Sequence, residues 1–169
     1  GLSPDSPLRT VAYALTLAGY GDTLLIDCGG YYETRLMVIR AHKMWLIGKD
    51  SASTIVSGEG LSNTNYSEIT VRDFRLQDTG SLAYFSSATN CTFSSMTLYN
   101  AGSGACLALL NSVGMTVSNC YLGYGYSAAA GFYGLLYNNC HNGLIENNTI
   151  EYRSNGIFML NNCSGNTLR

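Results

Sequence analysis

The sequence predicts an all-β fold: a right-handed parallel β-helix, a solenoid of stacked coils around one narrow apolar core, with a short N-terminal capping α-helix and an uncapped C-terminal end. Three observations predict it. Short apolar runs recur along the chain at intervals too regular for an ordinary sandwich. Stacking those runs brings like residues into columns. The composition, with 19 Gly, 13 Tyr and only 2 Pro among 169 residues, suits many short strands joined by tight turns.

The elements follow in order. Ser6-Pro7, then Leu8, Val11, Ala12, Leu15 and Ala18, supply a cap, a proline in the first turn and apolar spacing of three and four, ending at Gly19. Residues 1–20 are therefore expected to form a cap helix that hides the unpaired edge of the first coil. Residues 21–169 form the stacked coils of the same single domain. Gly21-Asp22-Thr23 leads into the strand Leu24-Leu25-Ile26, and Gly29-Gly30-Tyr31-Tyr32-Glu33 reads as a turn. Strands recur at Leu36 to Ile39, Met44 to Ile47, Thr54 to Val56 and Ile69 to Val71.

The later segments align on Leu76, Leu98, Leu122 and Ile150, at spacings of 22, 24 and 28 residues, with the extra residues in loops. Five positions earlier stand Val71, Phe93, Val117 and Ile145; seven earlier stand Ile69, Cys91, Met115 and Gly143; two earlier stand Phe74, Met96, Cys120 and Asn148. Between inward-facing apolar positions lies a short polar column, Asp73, Ser95, Asn119 and Asn147. Residues of this type suit a tight bend. With coils about 4.8 Å apart, they form a structural ladder that satisfies backbone groups the strands leave unpaired.

Leu135-Leu136-Tyr137-Asn138-Asn139-Cys140-His141-Asn142 matches Phe158-Met159-Leu160-Asn161-Asn162-Cys163-Ser164-Gly165, which stacks Cys140 on Cys163 and puts Leu168 beneath Ile145 and Arg169 beneath Glu146. The chain then stops in mid-strand. An open coil there is expected either to continue in a longer solenoid or to meet another molecule, self-association through that end included.

Several functions are disfavoured by composition. The 9 Lys plus Arg and 11 Asp plus Glu are scattered, with no basic stripe for nucleic acid. No apolar run nears the roughly 20 residues of a membrane span. Six cysteines without a Cys-x-x-Cys pair, and two histidines, argue against a zinc site; buried thiols are expected in preference to disulfides. No metal and no cofactor are expected.

The stretch Ser3 to Thr10, Ala14, Gly21-Asp22-Thr23-Leu24, Gly30-Tyr31-Tyr32-Glu33, and Trp45-Leu46-Ile47-Gly48 with Thr54 to Gly58 resembles the opening of the pectate-lyase-like superfamily of right-handed parallel β-helix proteins. The Asn-Asn repeats after Asn138 resemble its generic repeat. The resemblance covers nearly the whole chain and implies the fold and an extracellular or cell-surface setting. It does not imply one activity, since the superfamily holds lyases, hydrolases, epimerases, tailspikes, adhesins and non-catalytic surface proteins.

A polysaccharide lyase needs clustered carboxylates for calcium and a basic residue as proton acceptor. Arg72, Asp73, Arg75 and Asp78 come nearest, but Asp73 belongs to the bend column and the two arginines leave it on different strands. A glycoside hydrolase needs two facing carboxylates, whereas beyond Asp78 only Glu146 and Glu151 remain. His141 follows Cys140, but adjacent strand residues point to opposite faces. The Asn-x-Ser/Thr tripeptides at Asn65, Asn90, Asn147 and Asn162 arise freely in an Asn- and Ser-rich repeat.

The most distinctive feature is a tyrosine-rich stretch, Tyr121, Tyr124, Tyr126, Tyr133, Tyr137 and Tyr152, around a small-residue insertion at Ser127 to Gly131. Aromatic faces on a solenoid wall stack on sugar rings, and neighbouring amides read hydroxyls; the same tyrosines could instead pack along neighbouring coils. Tyr124, Tyr126, Tyr152 and Arg153 are the expected ligand-binding residues, and no catalytic residue is expected. The sequence thus points to a secreted or cell-surface module that binds polysaccharide or another surface without catalysis. The alternatives are a structural protomer stacking end to end into a filament or oligomer, and a fragment of a polysaccharide lyase or hydrolase.

Overall fold

The structure is a computed structural model that describes residues 7–78, 82–100, 104–124, 133–151 and 155–169. After helix α1 (Val11–Leu17), the first coil carries β1 (Thr23–Ile26), β2 (Gly29–Glu33) and β3 (Met37–Ile39). The second carries β4 (Trp45–Gly48), β5 (Thr54–Gly58) and β6 (Leu61–Thr64), and the third β7 (Thr70–Arg72), β8 (Arg75–Asp78) and β9 (Ala83–Ser86). Next come β10 (Thr92–Ser94), β11 (Thr97–Asn100) and β12 (Ala105–Leu110), then β13 (Thr116–Ser118), β14 (Tyr121–Tyr124) and β15 (Tyr133–Asn138). The last are β16 (Leu144–Glu146), β17 (Thr149–Ile150), β18 (Asn155–Leu160) and β19 (Thr167–Leu168).

Each coil gives one strand to each of three parallel sheets. The first sheet runs β1-β4-β7-β10-β13-β16-β19, the second β2-β5-β8-β11-β14-β17 and the third β3-β6-β9-β12-β15-β18. The anchor column is a true register, with Leu98 paired to Leu76 and Leu122, and Leu122 to Ile150. Val71, Phe93, Val117, Ile145 and Leu168 stack in the first sheet in the same way.

These columns point inward. Leu46, Val71, Phe93, Leu76, Leu98, Leu122, Leu61, Leu107 and Leu135 are buried, and Phe85 meets Phe93 edge-to-face at 4.7 Å. Burying each such side chain stabilises the fold by about 1.5–3 kcal/mol. The core therefore runs unbroken from coil to coil, with no layer able to fold alone.

Bends are made by single residues in the left-handed region, the cheapest way to turn the chain sharply where Asn, Asp or Gly is available. Asp73, Ser95, Asn119 and Asn147 all have φ between 52° and 63° and stand between the first and second sheets. Their N–H groups donate to the carbonyls of Ser94, Ser118, Glu146 and Arg169 on the following coil, at 3.1–3.3 Å. Asn65, Ser87, Asn111, Asn139 and Asn161 take the same conformation past the third sheet. Amide-to-amide bonds between coils occur there, from Asn139 Nδ2 to Asn111 Oδ1 at 2.9 Å and from Asn161 Nδ2 to Asn138 Oδ1.

Three local expectations are corrected. The helix begins at Val11, with Thr10 as its N-cap, whose hydroxyl accepts from Tyr13 N–H at 3.2 Å. Residues 7–10 are not helical, because the buried carboxylate of Glu33 fixes the first turn at Val11 and Ala12. Gly29 to Glu33 is not a turn but strand β2, paired in register with β5; the chain already turns before it, where Asp27 accepts from Cys28 N–H. Finally, Leu135 pairs with Ile157 and not Phe158, and Asn138 with Leu160. One extra residue in the last coil, between the left-handed Asn161 and Cys163, restores the expected pairing of His141 with Ser164.

Helix α1 packs mainly on β3 and touches β1 and β2. None of the six cysteines forms a disulfide; Cys91, Cys106, Cys120 and Cys140 are buried, Cys163 is half-buried and Cys28 is exposed. Cys140 and Cys163 are stacked neighbours: the Cys140 N–H donates to Cys163 Sγ at 3.5 Å.

Candidate functional site

Between Thr70 and Leu144 one corner of the solenoid absorbs the variation in coil length. The step from first to second sheet is constant, as Thr70 to Arg75, Thr92 to Thr97, Thr116 to Tyr121 and Leu144 to Thr149 show. The connections from the second sheet to the third, β8 to β9, β11 to β12 and β14 to β15, differ in length and carry the spacings of 22, 24 and 28. Solenoids present their variable connections as binding loops on an otherwise regular scaffold.

Of the four expected binding residues, Tyr124 is described and stands at this corner. Tyr124 ends β14, its backbone opposite Asn100 of β11. Tyr126, Tyr152 and Arg153 lie outside the described residues. The strands that flank them are hydrogen-bonded neighbours, β14 with β17 and β15 with β18.

Two walls meet at the corner. On the second sheet the residues flanking the inward leucine column face outward. One row is Ile55, Arg75, Thr97, Tyr121 and Thr149, and the other is Tyr32, Ser57, Gln77, Tyr99 and Gly123, continued by Glu151 after Ile150. Gln77 Nε2 donates to Ser57 Oγ at 3.1 Å, and Tyr121 Oη donates to Glu151 Oε2 at 3.1 Å. The Tyr121 ring lies down along its own strand: a Cβ at Gly123 would stand 2.2 Å from Tyr121 Cε1 and 2.7 Å from its Oη. Tyr32 is 72% exposed, while Arg75, Tyr99 and Tyr121 are half-buried.

The outward positions of the third sheet are Ser62, Tyr84, Ala108, Leu136 and Phe158, with Thr64, Ser86, Leu110, Asn138 and Leu160. Those positions carry no charged side chain. Tyr133 and Phe158 stack at 4.8 Å with a 13° angle between their planes. An aromatic, hydroxyl- and amide-bearing surface on one side and an aromatic, uncharged one on the other are chemically suited to the faces and hydroxyls of sugars.

The other candidates separate. Arg72 pairs with Asp73 at the bend, whereas Arg75 faces outward from the second sheet, so the pair does not converge on one site. The Glu146 carboxylate holds Arg169 at 2.8 Å, and Glu68 lies 3.7 Å from Lys43, which sits over the Tyr20 ring. His141 Nδ1 meets Ser164 Oγ at 2.8 Å on the surface, while the Cys140 thiol turns inward to the Leu109 carbonyl at 3.1 Å. Among the described residues no group of three His, Cys, Asp or Glu side chains is arranged to hold a metal, and no helix is long and apolar enough to cross a membrane.

A groove between α1 and the first coil is lined by Leu8, Val11, Leu24, Ile26, Tyr31 and Ile47, with Asp27 and Lys49 at its rim. Hydrogen bonding from Cys28 N–H holds the Asp27 carboxyl below the usual carboxylate range. Burial pushes the Tyr31 phenol up.

Gln77, Tyr99 and Gly123 were not expected as site residues, and Arg75 and Glu151 were weighed only for catalysis. The signal was present, since these are the positions immediately before and after the anchor leucines, but it appears only when the flanks of the anchor column are read as columns themselves.

The sequence model described as "right handed beta helix region" matches residues 59–169. Among solved structures, the catalytic domain of a GH87 α-1,3-glucanase in complex with nigerose superposes with a TM-score of 0.75 at 14% identity, covering 92% of this chain and 30% of that one. A protein from Parabacteroides merdae provisionally described as a glycosyl hydrolase superposes with a TM-score of 0.55 at 8% identity, covering 83% of this chain and 79% of that one. The chain thus spans under a third of the glucanase domain it matches. No curated protein matches it in sequence.

Proposed function

The chain belongs to the right-handed β-helix family, and from that premise we propose that it is a secreted or cell-surface module that binds polysaccharide without cleaving it. The observation that carries this reading is the corner where the variable connections meet the polar-aromatic wall of Arg75, Gln77, Tyr99, Tyr121 and Glu151. In this reading Tyr124, Tyr126, Tyr152 and Arg153 contact the ligand. The fold is shared with carbohydrate-acting proteins, one of them seen with a bound disaccharide.

The non-catalytic part rests on three described carboxylates being engaged away from one another. Hydrolysis of a glycosidic bond needs two carboxyl groups facing one another across it, about 5–9.5 Å apart. Asp73 and Glu146 are engaged by arginines on the first-sheet side, and Glu151 by the Tyr121 hydroxyl on the second. The extracellular setting rests on the family resemblance.

The test is retention on immobilised or gel-embedded polysaccharides. Tyr124→Ala with Tyr126→Ala, in a protein whose circular dichroism is unchanged, is expected to abolish retention. Unchanged retention overturns the assignment of the corner.

A further inference from the structure

Among the described residues, the Tyr121 ring is positioned from two sides. Its own strand leaves room for it at Gly123, where any Cβ would occupy the place of the ring edge. The next coil then holds its hydroxyl through Glu151 Oε2. A tyrosine standing away from a sheet offers its edges, whereas one laid along the strand offers a face, and sugar rings stack on faces. Tyr99 stands beside it, paired in register with Gly123, and Gln77 follows one coil further on.

This row runs across the strands, along the solenoid axis, with a step of about 4.8 Å per coil. The one carboxylate in the row is already committed to Tyr121, and a polyanionic chain laid there would meet its charge at short range.

We propose that Tyr121 is the stacking platform for one pyranose ring of a linear, uncharged glycan that runs along the solenoid axis past Tyr99 and Gln77, and that Gly123 and Glu151 are the positioning residues that hold the platform flat. The proposal deepens the glycan-binding reading and rests on it. Glu151 acts through the Tyr121 hydroxyl, as a hydrogen-bond acceptor and not through its charge. Its amide analogue therefore serves as well, which a purely ionic contact with the ligand would not allow.

The experiment is calorimetric titration of the whole chain with linear gluco-oligosaccharides of increasing length, with circular dichroism and thermal midpoint recorded for every variant. Affinity is expected to rise with length. Tyr121→Ala and Glu151→Ala are expected to weaken binding about tenfold, the size of one stacking contact, with unchanged thermal midpoints. Glu151→Gln keeps an acceptor and is expected to bind as the parent does. Gly123→Ala lifts the ring and is expected to weaken binding like Glu151→Ala. If the parent binds while folded Glu151→Ala and Gly123→Ala bind equally well, the platform is overturned and the glycan-binding reading stands. If a linear polyuronate binds more tightly than the neutral series, the ligand class is overturned. A folded parent that binds none of these glycans overturns both readings together.

Discussion

Glu33, buried in β2, accepts hydrogen bonds from the backbone N–H groups of Val11 at 2.6 Å and Ala12 at 3.1 Å, and so ties helix α1 to the first coil. A carboxylate at a helix N-terminus satisfies donors that the helix cannot satisfy itself and complements its dipole. Gly58 on the next coil permits the arrangement, since a Cβ there would lie 2.2 Å from the Glu33 carbonyl oxygen. Glu33→Ala is expected to lower stability by about 2 kcal/mol, the worth of charge-assisted hydrogen bonds to a buried acceptor. Denaturant unfolding measures it, and α1 should detach first, seen as early loss of amide protection at Val11 to Leu17.

Tyr137 is fully buried in the inward column of the third sheet, and its hydroxyl has no hydrogen-bond partner among the described residues. Burial pushes its phenol well above the usual range. Removing an unsatisfied buried hydroxyl while keeping the ring relieves a desolvation cost of about 1–3 kcal/mol. Tyr137→Phe is therefore expected to leave the thermal midpoint unchanged or raise it, whereas Tyr137→Ala, which opens a cavity, should cost about 3–5 kcal/mol.

The bend column makes a conformational prediction. Asn119 has φ 54°, a conformation that costs most side chains about 1–2 kcal/mol and glycine nothing. Asn119→Gly is expected to unfold at the same denaturant concentration as the parent, and Asn119→Val at a clearly lower one. Equal destabilisation by both would mean that the Asn side chain, and not its backbone tolerance, holds the bend.

The buried thiols make a pH prediction. Desolvation raises Cys91 and Cys120 from the ordinary value near 9 to about 11 each. Between those values the unfolded chain loses thiol protons that the folded chain keeps, so stability is fully present below pH 9 and falls as pH rises toward 11. Urea midpoints across that window should decrease, and Cys91→Ala with Cys120→Ala should flatten the decrease. In native protein at pH 8, exposed Cys28 should alkylate at once, while Cys91 and Cys120 should react only as the chain opens.

The repeat was legible because its signal is additive. Each inward position of a solenoid is drawn from the same environment, so Leu76, Leu98, Leu122 and Ile150 identify one another, and the observed registers follow those columns. The register of the last coil was not legible in detail, because Ile157, Phe158, Met159 and Leu160 are all apolar, and an alternation of two cannot be phased in such a run. The helix start was missed because the group that fixes it, Glu33, lies 22 residues away. The polar-aromatic wall was missed for a similar reason: Tyr99 and Gln77 stand next to each other only across coils.

The central claim is that the corner and its wall bind polysaccharide without cleaving it. The most direct measurement is prolonged incubation of the chain with neutral and uronate polysaccharides, followed by analysis for new reducing ends and unsaturated products. The account predicts retention on the neutral polysaccharides and no products of either kind. Products that disappear when one acidic residue, such as Glu151 or Asp78, is replaced by its amide would contradict it.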